Sequence, residues 1–295
     1  TALRIKGETI DEITASAQVM REKALHIKPN RDVLDIVGTG GDGTGTFNIS
    51  TTAAFIIAAA GIPVAKHGNR SMSSKSGSAD CLEQLGININ ITPEKSEEVL
   101  NKAGICFMFA QGYHSSMKYV GPVRKEIGIR NIFNVLGPLT NPAGADIQVT
   151  GVYSEALVEP IAQVFSNLGV KKGYVFYGMD GMDEVTLTTT TKVCEIDNGK
   201  FNTFILNPED YGLKLCAPED LAGGDGKENA EITKEILSGE IKDAKRDIVV
   251  LNAALGLCTG GKADSIQDGI KLANEIIDSG KAYAKIEEFA KASNE

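Results

Sequence analysis

The chain has 295 residues, 42% of them hydrophobic and 23% charged, with a formal net charge of -9 and a pI near 5.0. That length buries a large core and suggests about two domains, or one α/β domain with an appendage; the acidic balance argues against nucleic acid or an acidic membrane as partner of the whole surface. Cys81, Cys106, Cys194, Cys216 and Cys258 are scattered and include no Cys-x-x-Cys pair, and His26, His67 and His114 lie far apart, so the sequence points to a reducing cytoplasm, no zinc site, and any metal hard and oxygen-bound.

The first residues, Thr1 to Glu8, are charged where a signal peptide needs an apolar stretch, and no window is apolar over the length of a membrane span. A first residue of Thr suggests a fragment. Residues 8–24 show helical spacing, with Ile10, Ile13, Ala17 and Met20 on one face and Thr9 or Glu8 near the cap. Residues 33–37 form a short β-prone run ending at Gly38, 49–60 an apolar helix closed by Gly61, 64–65 the opening of a second strand and 78–85 a second helix closed by Gly86. Thr92-Pro93 opens a helix to about residue 102, and 105–109 is a buried strand. From 115 to 136 the pattern is helical, interrupted by Gly121-Pro122 and Gly128, with a stop at residues 137–142. Strand and helix alternate again at 147–153, 156–168 and 173–177; residues 186–206 alternate β-branched and polar residues around the hairpin turn Asp197-Asn198-Gly199. Residues 227–292 are largely helical. This alternation predicts an α/β fold with a mostly parallel sheet.

Between Asp42 and Asp80 lie 37 residues without a carboxylate. They hold the end of a glycine-rich turn, Asn48-Ile49-Ser50-Thr51, and a run from Lys66 to Ser74 with two strong cations, an amide and three hydroxyls. That composition suits an anionic ligand. The turn, Gly38-Thr39-Gly40-Gly41-Asp42-Gly43, matches Gly-x-Gly-x-x-Gly, but the second strand ends in Lys66-His67 where a dinucleotide site needs an acidic residue, and no Walker-type Lys-Ser/Thr follows. What remains is a turn that lets backbone N–H groups approach a phosphate or pyrophosphate. Asp180-Gly181-Met182-Asp183-Glu184 follows a predicted strand, placing adjacent carboxylates where Mg²⁺ would meet a ligand's phosphates.

These segments, with Thr46-Phe47-Asn48-Ile49-Ser50-Thr51, Ser78-Ala79-Asp80 and residues 134–142, resemble the anthranilate phosphoribosyltransferase family in order and spacing over nearly the whole chain. The resemblance implies a mostly parallel sheet flanked by helices, as in nucleoside phosphorylases and phosphoribosyltransferases. It divides the chain into a small, N-terminally shortened helical domain (1–29 and 114–142) and an α/β domain that binds phosphoribosyl pyrophosphate (30–113 and 143–295). The implied activity is transfer of the phosphoribosyl group to the amine of anthranilate, in tryptophan biosynthesis, by a cytoplasmic homodimer that needs Mg²⁺ and binds neither nucleic acid nor membrane.

By position, the resemblance assigns phosphoribosyl pyrophosphate to Gly38, Gly41, Asp42, Thr46, Asn48, Ile49, Ser50, Thr51, Lys66, His67, Gly68, Asn69, Arg70, Ser71, Met72, Ser73, Ser74 and Ser78. Gly38, Asn69 and Arg124 would contact anthranilate, Ser50, Asp183 and Glu184 would hold Mg²⁺, and Arg124, Lys66 and His67 would serve catalysis. The family's usual Pro-Ala pair and second histidine are replaced here by Ser115, Ser116 and Tyr119, which alters the expected anthranilate pocket. A pyrimidine nucleoside phosphorylase shares the implied fold but has a different phosphate motif. A non-enzymatic, nucleic-acid-binding relative should lack the acidic pair and carry a basic face.

Overall fold

The computed structural model describes residues 1–71 and 75–295. A short helix, Ala2–Lys6 (α1), precedes Ile10–Lys23 (α2). α2 starts where a capping box forms: Thr9 Oγ1 accepts the Glu12 N–H at 3.2 Å and the Glu12 carboxylate accepts the Thr9 N–H at 3.0 Å. Then come Leu34–Gly38 (β1), Ile49–Ala59 (α3), Val64–Gly68 (β2), Ser78–Gln84 (α4), Pro93–Ala103 (α5) and Ile105–Phe109 (β3). Ala110–Tyr113 (α6), Met117–Ile127 (α7) and Phe133–Leu139 (α8) lead into Ile147–Gly151 (β4), Val158–Asn167 (α9) and Lys172–Gly178 (β5). The hairpin Thr191–Asp197 (β6) and Lys200–Leu206 (β7) is followed by Gly226–Ser238 (α10), Ala244–Thr259 (α11), Ile266–Asp278 (α12) and Lys281–Asn294 (α13).

The strands form one sheet of seven in the order β3-β2-β1-β4-β5-β6-β7, parallel from β3 to β5 and antiparallel beyond. The α/β fold expected from the alternation is the one observed. Side chains alternate between the two faces of each strand: on β5 Tyr174 and Phe176 join the large core with α3 and α10–α13, whereas Val175 joins α2, α8 and α9 on the other face. Because consecutive parallel strands lie to either side of β1, the chain's loops diverge between β1 and β4, which puts a crevice at the carboxyl ends of the strands. Among the described residues no helix is long and apolar enough to cross a membrane.

Two local expectations are corrected. Gly121-Pro122 does not interrupt α7, which ends only at Gly128 in the left-handed conformation, φ 66°; α7 has no buried residue among its described side chains, so water can satisfy the carbonyl that Pro122 leaves unpaired. α8 ends at Leu139, within the stop expected over 137–142, with Pro138 forfeiting one hydrogen bond in its last turn. Residues 186–190 are not strand: the Thr186 hydroxyl donates to Asp180 at 2.6 Å and the Thr188 hydroxyl to the same oxygen, folding the segment into a loop before β6.

Two buried polar devices fix the site's frame. Asn252 of α11 accepts the Val185 N–H at 3.0 Å and donates to the Val185 carbonyl at 2.9 Å, anchoring the turn that carries Asp183 and Glu184. Replacing Asn252 with Leu orphans both backbone groups and should cost about 2–6 kcal/mol, read from urea unfolding. Asp35 of β1 is fully buried, and burial pushes its carboxyl up to about 6, against the pull of Lys66 and Asn141; Cys106 of β3 also faces it. A carboxyl raised from 3.8 to about 6 by folding favours the folded state below pH 3.8, and that advantage is lost as the pH rises through 6. The parent chain should therefore lose stability relative to Asp35→Asn across that window. Parallel stability curves for the two proteins would contradict the assignment.

Candidate active site

The site is built where the glycine turn leaves β1. Gly38 lies so close to Asp183 that a Cβ there would stand 2.3 Å from its Oδ2, and Gly40, at φ 72°, turns its N–H onto that oxygen at 2.5 Å. Asp42 accepts the Thr44 hydroxyl at 2.5 Å, and the Gly41 carbonyl accepts from Arg130, whose guanidinium stacks 4.3 Å from the Tyr153 ring centroid. Thr46 bridges to Ala222, closing the turn against the segment before α10.

The helix that follows presents its N-terminus to the same crevice. Asn48 stands at its cap, with its Oδ1 accepting from Ser76 at 3.1 Å and Asn229 at 2.9 Å. Ile49 is buried in the core and Thr51 is buried beside it. Ser50 donates its N–H to Glu184 Oε1 at 3.1 Å, and its side chain also hydrogen-bonds that carboxyl. The three residues assigned to Mg²⁺ thus converge on one corner.

Asp183 and Glu184 are each only 8% exposed. Burial, then the charges of Asp42 and Glu184, raise Asp183 well above the usual carboxylate range. Burial pushes Glu184 up to about 7, although Lys66 and Ser50 favour its anion. Two buried acids that resist ionisation are relieved by a cation of higher charge. Among the described residues no group of three or more His, Cys, Asp or Glu could cage a metal alone. That fits Mg²⁺, which takes one or two carboxylates and completes its shell with water and substrate phosphates.

From β2, Lys66 and His67 are buried. Lys66 donates to the Ile36 carbonyl; burial lowers its pKa, while Asp35 and Glu184 hold its charge. His67 pairs its Nδ1 with the Gly137 carbonyl at 3.1 Å, which makes Nδ1 the protonated nitrogen and leaves the buried Nε2, which has no partner among the described residues, as an acceptor. Burial and the His114 ring, 5.1 Å away, push His67 down to about 3, so the ring is neutral. A Cβ at Gly68 would stand 2.2 Å from Ser78 Oγ, which itself donates to the Asn69 carbonyl at 3.3 Å. Asn69 accepts the Arg70 N–H at 2.8 Å.

Arg70, assigned to phosphate, has its guanidinium on Asp80 at 2.8 Å and on both oxygens of Glu83 at 2.6 and 2.9 Å. The Ser71 N–H also reaches Asp80, at 3.2 Å. Met72, Ser73 and Ser74 lie outside the described residues. Arg124, on α7, is half-buried over the Phe133 ring at 5.3 Å, and among the described residues it has no ion pair or hydrogen bond to Gly38 or Asn69. Ser115, Ser116 and Tyr119 are exposed.

Sequence reasoning assigned no role to Asp35, Asn141, Asn229, Asp80 or Arg130. Asp35 had a signal, being a carboxylate inside an otherwise apolar strand. Asn141 lies in the segment 134–142 that carries the family resemblance, but its partner Asp35 is 106 residues away, and the partners of Asn229 and Arg130 lie 181 and 89 residues away.

The glycosyl transferase family, a/b domain, matches residues 30–283. The anthranilate phosphoribosyltransferase of Ruminiclostridium cellulolyticum is 58% identical over 294 residues, covering 100% of this chain and 86% of that protein. That of Methanobrevibacter smithii is 56% identical, covering 100% and 88%. The crystal structure of anthranilate phosphoribosyltransferase from Thermus thermophilus superposes with a TM-score of 0.95 at 44% identity, over 100% of this chain and 88% of that one. The Saccharomyces cerevisiae enzyme in complex with PRPP and Mg gives 0.91 at 31% identity, over 99% and 83%. On these matches and on the fold that carries the site, the chain belongs to the anthranilate phosphoribosyltransferase family.

Proposed function

We propose that the crevice between the glycine turn, the end of β2 and the 183–184 turn is where this chain transfers the phosphoribosyl group of phosphoribosyl pyrophosphate to the amine of anthranilate, releasing pyrophosphate, in tryptophan biosynthesis. The observation that carries the reading is the buried pair Asp183 and Glu184 facing Gly40, Ser50 and Lys66 at one rim. An acidic pair at the heart of the site does not suit a nucleic-acid surface.

The amine of anthranilate is a weak base, neutral at pH 7, so its nitrogen lone pair needs no prior deprotonation. It attacks the anomeric carbon while the bond from that carbon to the pyrophosphate oxygen breaks, and the bonding pair leaves with pyrophosphate. Attack from the opposite face inverts the anomeric carbon. Positive charge builds on the sugar and negative charge on the leaving group, so the site's work is positioning and charge stabilisation. Lys66, the backbone N–H groups of the glycine turn and the N-terminus of α3 supply positive potential to the phosphates. Asp183, Glu184 and Ser50 would hold Mg²⁺, whose charge would neutralise pyrophosphate. His67 Nε2 is the acceptor available to orient the amine or take its proton. Arg124 would pair with the carboxylate of anthranilate near Gly38 and Asn69, a bidentate match that lysine cannot make. The division into a helical part and an α/β part, a homodimeric assembly and a cytoplasmic location belong to the same proposal.

Turnover should require Mg²⁺. Adding it with phosphoribosyl pyrophosphate should raise the melting temperature of the parent but not of the Asp183→Asn, Glu184→Gln double variant, which should be folded and inactive. Equal stabilisation of both proteins would remove these carboxylates from the metal site. Arg124→Ala should raise KM for anthranilate by roughly ten- to a hundredfold, in line with about 1.5–3 kcal/mol for a hydrogen bond to a charged group, and leave KM for phosphoribosyl pyrophosphate nearly unchanged. Aniline, which lacks the carboxylate, should be a poor substrate whose turnover the substitution hardly alters. Equal damage with both amines would make Arg124 a structural residue.

A further inference from the structure

The ladder between β1 and β2 stops early. β1 with β4 and β2 with β3 each keep five residues in register, whereas β1 and β2 pair only at Leu34↔Val64. There the Leu34 N–H bonds the Pro63 carbonyl at 2.8 Å. A parallel ladder continuing from that bond would next set the Ile36 N–H on the Ala65 carbonyl and the His67 N–H on the Ile36 carbonyl. Side chains take three of these four groups instead. Asn141 Nδ2 donates to the Ala65 carbonyl at 2.8 Å, Lys66 Nζ donates to the Ile36 carbonyl, and the His67 N–H goes to Asp35 Oδ1 at 3.2 Å. Asn141 Nδ2 also donates to Asp35 Oδ2 at 2.8 Å, and the Ala143 N–H, 2.8 Å from Asn141 Oδ1, fixes the orientation of the amide.

We propose that Asp35 and Asn141 are positioning residues for the transfer reaction: they part β1 from β2 and so hold the Lys66 ammonium and the His67 ring beneath the phosphoribosyl pyrophosphate crevice. The inference rests on the functional reading above. Stability alone gives no reason for the arrangement, because apolar residues of similar volume usually serve a sheet as well as a buried acid and base, or better. A closed ladder would satisfy the same backbone groups with no charge inside. It would also draw the last residues of β2 against β1, displacing the Lys66 ammonium from the Ile36 carbonyl near Glu184 and the His67 ring from the Gly137 carbonyl. Asp35 and Lys66 make a reciprocal clasp, each side chain on the other strand's backbone, and Asn141 ties that clasp to the segment following α8.

The test begins with calorimetric titration of the parent with phosphoribosyl pyrophosphate and Mg²⁺. A parent that does not bind overturns the functional reading and this inference with it. With a binding parent, Asp35→Asn should raise the dissociation constant by roughly ten- to a hundredfold and change KM for anthranilate less than twofold. Ile277→Ala, which opens a core cavity on α12 near the C-terminal end of α10, serves as the control: it should lower the melting temperature with no change in the dissociation constant. If Asp35→Asn does not accumulate as folded protein, Asn141→Ala carries the same expectation. A folded Asp35→Asn or Asn141→Ala chain that binds phosphoribosyl pyrophosphate like the parent overturns the inference and leaves the functional reading standing.

Discussion

Asp183 fills the space in which side chains at positions 38 and 151 would otherwise stand. A Cβ at Gly151 would lie 1.7 Å from its carbonyl oxygen, and one at Gly38 2.3 Å from its carboxylate. Strands β1 and β4 must therefore both end in glycine for the turn to lie across them, and only with the turn in that place do the Gly40 and Ser50 N–H groups meet their carboxylates. Asn252 holds the turn from α11 on the far side. Three sequence-distant elements are thus registered to one another by a single close approach of backbone to backbone.

That approach sets an electrostatic problem which the proposed function resolves. The Gly40 and Ser50 N–H groups, two of those that would suit a pyrophosphate, are already spent on Asp183 and Glu184, and both carboxyls resist ionisation where they lie. Phosphate and carboxylate compete for the same donors unless a divalent cation stands between them. With a cation there, the carboxylates keep their N–H bonds, the phosphates gain a partner, and burial strengthens both contacts. Lys66 alone, with its charge already held by Asp35 and Glu184, does not supply that much positive potential.

The sheet and its helices were legible because strand, glycine turn and helix alternate with little ambiguity, and the stretch from 43 to 79 was legible as a missing charge, which the proposed function reads as a place for an anion. The proline-containing helix α7 was not, since a Gly-Pro pair reads as a breaker while only one hydrogen bond is forfeited when the helix is exposed. Nor were Thr186 and Thr188, whose β-branched character suggested a strand until Asp180 claimed their hydroxyls. Residues that act through distant partners escaped altogether. Asp35 reads locally as one acid in a strand; its meaning comes from Asn141, 106 residues on. The anthranilate roles, and that of Ser50 toward the metal, came from family resemblance, because one arginine on a helix carries little chemistry by spacing alone; the acidic pair was readable as a place for Mg²⁺ from its position after a strand.

Arg70, which the family resemblance assigns to phosphate, faces carboxylates in this structure. Its partners Asp80 and Glu83 lie at the start and near the end of α4, and Asp80 also accepts the Gly77 N–H at 2.9 Å, so the same ion pairs tie the residue after β2 to α4. The guanidinium remains 41% exposed, and ion pairs open to water contribute little to stability. Exchanging them for a phosphate is therefore cheap. A buried Arg70 would be locked to α4; paired with α4 yet exposed, it would under the proposed function exchange Asp80 and Glu83 for a phosphate at little cost.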